Sequence, residues 1–107
     1  MQSNTNFSEE FYESVVAGLK NVIGESPMKA AIYHIGFSRS TASPEEFSGG
    51  LRRVFGPGSA VLEKIVAKEL YQRLGLRFQD ANNFDFASYV KRAREAFAVS
   101  SKGLGNR

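Results

Sequence analysis

The chain contains no cysteine, so disulfides and thiolate metal sites are excluded, and the redox state of its surroundings leaves no trace in it. Tryptophan is absent too, and a single histidine, His34, rules out any metal site built on several imidazoles. Aspartate is limited to Asp80 and Asp85, both beside turn or cap positions that such residues commonly fill. No apolar run approaches the ~18 residues a membrane span needs. The opening MQSNTNFSEEF has neither the basic nor the apolar region of a secretory signal. No motif calls for a cofactor or a metal. The expectation is a soluble, cytoplasmic protein with no membrane attachment.

What is present suits one folded unit. With 107 residues, 42% of them apolar, the chain can bury a core without staples. Its net charge of +3 is unevenly placed. Residues 1–48 carry three basic side chains against six glutamates, whereas residues 49–107 carry eleven against five acids. Opposite signs in the two halves fit either a basic binding face or attraction between folded halves.

Residues 43–76, SPEEFSGGLRRVFGPGSAVLEKIVAKELYQRLGL, organise the rest. Ser43 and Glu46 form a capping box, Ser43 accepting from the Glu46 N–H while Glu46 reaches back. Phe47, Leu51, Val54 and Phe55 make the apolar stripe of a third helix. Gly49-Gly50 within it costs roughly 1 kcal/mol per glycine, which suggests that another backbone passes close by. Gly56-Pro57-Gly58 turns the chain, and Ser59 caps a fourth helix. There Val61, Leu62, Ile65, Val66, Ala67, Leu70, Tyr71 and Leu74 spread over most of the circumference, leaving Lys64, Lys68 and Gln72 as a polar strip. Such a helix belongs at the centre. Gly75 ends it.

Upstream, Ser8 reads as an N-cap with Glu9 and Glu10 in the first turn, and Phe7 and Tyr12 have staple spacing. Tyr12, Val15, Val16, Leu19, Val22 and Ile23 recur at helical spacing, and Gly24 closes this first helix. Ser26-Pro27 opens a short second helix through Met28, Ala31, Ile32 and Ile35, which stops at Gly36. Residues 37–42 read as a mobile polar connector. Downstream, residues 76–83 form a loop, and a fifth helix starts near Asn83 or Asp85. Phe86, Tyr89, Val90, Ala93 and Phe97 face inward, with Lys91, Arg92 and Arg94 outward. The expected fold is all-α: a compact five-helix domain packed around a central fourth helix. It would span residues 8–98, between a frayed N-terminus (1–7) and a flexible basic tail (99–107).

No residue set specifies a reaction. Gly56-Pro57-Gly58-Ser59 has the glycines of a phosphate cradle but lacks the Lys-Ser/Thr ending and a preceding strand, so a helical corner is preferred. His34 has no catalytic partner at useful spacing, and an enzyme is not expected. Arg52 and Arg53 before the corner, with Lys64 and Lys68 after it, suggest a helix-turn-helix. The polar strip of the fourth helix is thin for reading bases. Lys91, Arg92 and Arg94 would extend a basic surface, so a small nucleic-acid-binding protein is the alternative reading. Phe37 and Phe78, in loops, are candidates for a partner surface, although such rings more often plug a bundle.

The run Pro44-Glu45-Glu46-Phe47, Val54-Phe55-Gly56, Gly58, Glu63-Lys64-Ile65 and the leucine-rich stretch to Leu76 resembles a small archaeal module, the Nitrosopumilus-type output domain (type five). Ala30-Ala31-Ile32-Tyr33 and residues 86–90 extend the resemblance, which covers about residues 11–97. It implies an all-helical output module of an archaeal regulatory system, with no catalytic motif to transfer. The preferred expectation is therefore a non-catalytic interaction module that binds an unknown protein partner or itself.

Overall fold

The computed structural model describes residues 6–38, 43–80 and 84–105, the last six of these by backbone alone. The described residues are all-α. They form α1 (Phe7–Ile23), α2 (Glu25–Ile35), α3 (Pro44–Phe55), a 3-10 turn (Gly56–Gly58), α4 (Ser59–Arg73) and α5 (Phe86–Gly105). The 3-10 turn follows α3 and precedes α4 with no residue between. The five separate helices expected are therefore four uninterrupted helical runs. The structure also extends α5 to Gly105, past the boundary at residue 98 expected from composition. Residues 1–5, 39–42, 81–83 and 106–107 lie outside the described residues, and with them most of the expected mobile connector, the Asn83 cap and part of the tail.

Helix α1 starts earlier than its sequence suggests. Asn6, not Ser8, is the N-cap, its side chain accepting from the Glu9 N–H at 2.9 Å. Phe7 is thus the first helical residue, not the residue before the cap that a staple uses, and it packs on Phe97 of α5 at 5.9 Å between ring centres. The buried face is rotated as well. Phe11, Ser14, Val15, Gly18 and Leu19 line it, while Val22 stays exposed. Ser14 settles its buried hydroxyl on the Glu10 carbonyl, which is why a polar residue is tolerated there.

Gly24, at a φ of +95°, reverses the chain within one residue. Its carbonyl already accepts the Met28 N–H, so α2 begins at Glu25 and needs neither Ser26 as cap nor Pro27 as first residue. The end of α2 decides the fate of Phe37. Gly36 adopts the left-handed conformation (φ 77°), its N–H reaching the Tyr33 carbonyl and that of Phe37 the Ile32 carbonyl. This Schellman turn throws the next side chain back onto the bundle. Phe37 is accordingly buried, against Phe11, Tyr12 and Phe47 at 5.2–5.9 Å, and the expectation of a partner-facing ring is corrected.

Ser43 caps α3 as expected, accepting from the Glu46 N–H, with its hydroxyl donating to Glu45. The two glycines of α3 differ. A Cβ on Gly50 would lie 2.5 Å from Cγ2 of Ile35, so a side chain of α2, not a backbone, is what needs the space. Nothing lies within 4 Å of a Cβ placed on Gly49.

Helices α1 and α4 share the centre. They run antiparallel, since Gly18 meets Ile65 and Val66 while Glu10 pairs with Arg73 at 3.2 Å, and α3 and α5 pack on α4 as well. Leu62, Val66, Ala67, Leu70 and Tyr71 are buried as expected. Val61 is not, being 63% exposed, and Ile65 and Leu74 are half-buried, so α4 is apolar around more of its circumference than its neighbours cover. Phe11, Phe47, Leu19, Leu51 and Leu70 are the largest fully buried side chains, each worth about 1.5–3 kcal/mol of burial.

Candidate functional site

Helix α4 ends in the same way as α2. Gly75 takes a φ of +72°, its N–H bonding the Gln72 carbonyl and the Leu76 N–H the Tyr71 carbonyl at 2.8 Å. The chain is sent back along the outer side of α4, and residues 76–80 run over its polar strip. Asp80 reaches Lys64, near the start of α4, in an ion pair of 2.7 Å. Two tyrosine hydroxyls tie α4 to α5 and α5 to this return segment. The Tyr71 hydroxyl donates to the Tyr89 carbonyl at 2.7 Å, and the Tyr89 hydroxyl donates to the Gln79 carbonyl.

The result is a cluster of four aromatic rings at the junction of α4, the return segment and α5. Phe78 meets Tyr71 edge-on at 5.5 Å and lies 5.1 Å from Tyr89 with the planes 32° apart. Phe84 lies 4.8 Å from Tyr89. Three cations ride on these rings: Lys68 over Phe78 at 5.7 Å, Lys64 over Phe84 at 6.0 Å and Arg92 over Tyr89 at 5.7 Å. Burial pushes the Tyr71 hydroxyl above its ordinary pKa, against the pull of the Arg92 charge beside it. Beside the cluster, Lys68, Gln72, Leu76 and half-buried Phe78 line an open groove of about 390 Å³.

Of the basic residues marked in the sequence, the fold thus gathers Lys64, Lys68 and Arg92. The others go elsewhere. Arg94 stacks on Phe7 of α1 at 5.1 Å, on the opposite flank of α5 from Arg92. Lys91 is exposed on the outer side of α5, and Arg53 is exposed near the end of α3. Arg52 borders a second groove of about 260 Å³ between the starts of α3 and α5, with Pro44, Glu45, Ser48, Gly49, Phe86 and Ala87. Phe78, the second ring marked as a partner surface, is half-buried and walls the first groove.

Two features escaped the sequence reading. Glu63 of α4 is buried and accepts a hydrogen bond from Ser48 of α3, linking those helices near the α4 N-terminus, where a negative charge is favoured. The ring cluster was the other, because residues 78, 84 and 89 follow no single helical period. Its signal was Gly75, whose turn dictates where residues 76–80 go. His34 lies exposed in the last turn of α2, its ring edge-on to Tyr33 at 5.8 Å. Among the described residues no group of three or more His, Asp or Glu is placed to hold a metal ion, and no helix is long and apolar enough to cross a membrane.

Compared with known proteins, the chain matches no family model, no curated protein and no solved structure.

Proposed function

We infer that this chain is a non-catalytic helical interaction module, binding another protein or a second copy of itself through the end of the bundle at the Gly56–Gly58 corner. One observation carries this reading. Val22 and Val61 are 49% and 63% exposed, and both sit at the same end of the central helix pair. Val22 lies one turn beyond Gly18 on α1, and Val61 one turn before Ile65 on α4. Val54, 43% exposed in the last turn of α3, leads into the same corner. Isolated exposed valines need no explanation, but three at the same end of the bundle are where a partner would find apolar surface to cover.

The resemblance to the Nitrosopumilus-type output domain (type five) supplies a setting, the output end of an archaeal regulatory system. That setting rests on the motif run in residues 44–76, with residues 30–33 and 86–90 beside it. Duplex reading by α4 is less well supported. Lys64 is already paired with Asp80, and the return segment lies along the strip a recognition helix would present.

The test is Val61→Glu. An exposed position of this kind tolerates substitution within about 0.5 kcal/mol, so the fold survives. Light scattering after size exclusion should show wild-type self-association, or affinity capture a retained protein partner, and Val61→Glu should abolish it. Identical behaviour of wild type and variant in both assays would remove the reading.

A further inference from the structure

We propose that the groove lined by Lys68, Gln72, Leu76 and Phe78 binds a nucleobase carrying phosphate, the base stacking on Phe78 and the phosphate taken by Lys68. This site is separate from the valine spot at the corner and does not depend on it.

Three properties of the groove select that chemistry. First, it has a flat aromatic wall already held in place. Phe78 is backed by Tyr89 and met edge-on by Tyr71. The segment carrying it is tied to α5 by the Tyr89 hydroxyl, which donates to the Gln79 carbonyl next to Phe78. A platform that needs no ordering gives up little on binding. Every base presents a π-face to such a ring.

Second, the surroundings are cationic. Lys64, Lys68 and Arg92 all lie on rings of the cluster, and Arg77 is exposed next to Phe78 in the chain. The Asp80 carboxylate beside them is taken up by Lys64. Lys68 itself is exposed and rests on the Phe78 ring, a weak contact in water. An arriving base would take that place on the ring, and the displaced ammonium has a phosphate to move to. The Gln72 amide, with donors and an acceptor at the groove, suits a base edge.

Third, the size and shape fit one unstacked base. The groove, about 390 Å³ and open to solvent, has room for one base. A base paired within a duplex cannot lay its face on Phe78. The ligand is therefore a single strand or a free nucleotide, two sources of the same chemistry.

The experiment is a fluorescence-anisotropy titration at low salt with labelled oligothymidylate of about ten nucleotides. Its duplex with the complementary strand is run in parallel, with thymidine monophosphate and inorganic phosphate as competitors. The single strand should bind and the duplex bind more weakly. Phe78→Ala should lower affinity at least fivefold, roughly the value of one stacked base. Lys68→Gln, at an exposed position that keeps the fold, should weaken binding and flatten the salt dependence by about 0.7 in log–log slope. Lys29→Gln, removing the same charge from α2, should change little. Phe78→Leu keeps apolar bulk without a flat ring and should behave like Phe78→Ala, which separates stacking from damage to the fold. Competition by thymidine monophosphate assigns a nucleotide pocket; its failure, with the Phe78 effect retained, assigns the strand. No binding at low salt, equal binding of duplex, indifference to both Phe78 variants, or competition by phosphate equal to that of the nucleotide would each overturn the proposal.

Discussion

Replacing each glycine of α3 by alanine in turn separates helix propensity from packing. Both positions are interior to the helix, and each substitution adds about 1 kcal/mol of intrinsic helix stability. At Gly49 a Cβ meets nothing within 4 Å, so that gain should appear nearly whole. At Gly50 the Cβ would lie 2.5 Å from Cγ2, 3.0 Å from Cγ1 and 3.1 Å from Cβ of Ile35. Rotating Ile35 does not remove the overlap, because its Cβ does not move with χ1 and a β-branched side chain in a helix is held to one rotamer. Relief requires α2 to shift against α3. Forced overpacking of this kind costs about 1–3 kcal/mol. Gly50→Ala should therefore fall about 1–3 kcal/mol below Gly49→Ala, at least about 4 °C in Tm for a chain this short. Urea unfolding followed by circular dichroism reads the difference. Adding Ile35→Ala to Gly50→Ala should return part of the loss, a coupling of about 0.5–3 kcal/mol in a double-mutant cycle. Equal stability of the two alanine variants, or strict additivity with Ile35→Ala, would refute the contact between α2 and α3.

Two further outcomes follow from the core. Phe37→Ala should cost about 3–5 kcal/mol in chemical denaturation, as for a ring lost from a packed cluster, whereas a ring serving an exposed partner surface would cost under about 0.5 kcal/mol. Tyr71→Phe removes the hydroxyl bonded to the Tyr89 carbonyl and should cost about 0.5–1.5 kcal/mol at neutral pH. Burial raises the Tyr71 pKa from its ordinary 10.0, so folding favours the protonated hydroxyl. That contribution is complete below the unfolded value and lost as pH climbs through the folded one. Wild type and Tyr71→Phe should therefore converge in stability at strongly alkaline pH; a gap that widens there would contradict the sign.

What the amino-acid order determined by itself is local. The all-α class, Gly24, Gly36 and Gly75 as helix ends, the Ser43 cap, the inward face of α5 and the buried positions Leu62, Val66, Ala67, Leu70 and Tyr71 of α4 follow from periodicity and backbone preference within a few residues. Faces were harder where two good patterns competed. In α1 both Tyr12-Val16-Leu19 and Phe11-Val15-Leu19 have helical spacing, and only the approach of α4 at Gly18 chooses the second. Distances between parts of the chain far apart in sequence belonged to the tertiary structure alone. Phe37 and Phe78 look alike as aromatic residues soon after a glycine helix end. One is swallowed by Phe11 and Phe47, and the other is half-buried at the wall of a groove, because of what each return turn happens to run over. The same holds for the basic residues. Their sign and number are written in the chain, but which of them share a surface depends on how the segment after Gly75 is laid back along α4.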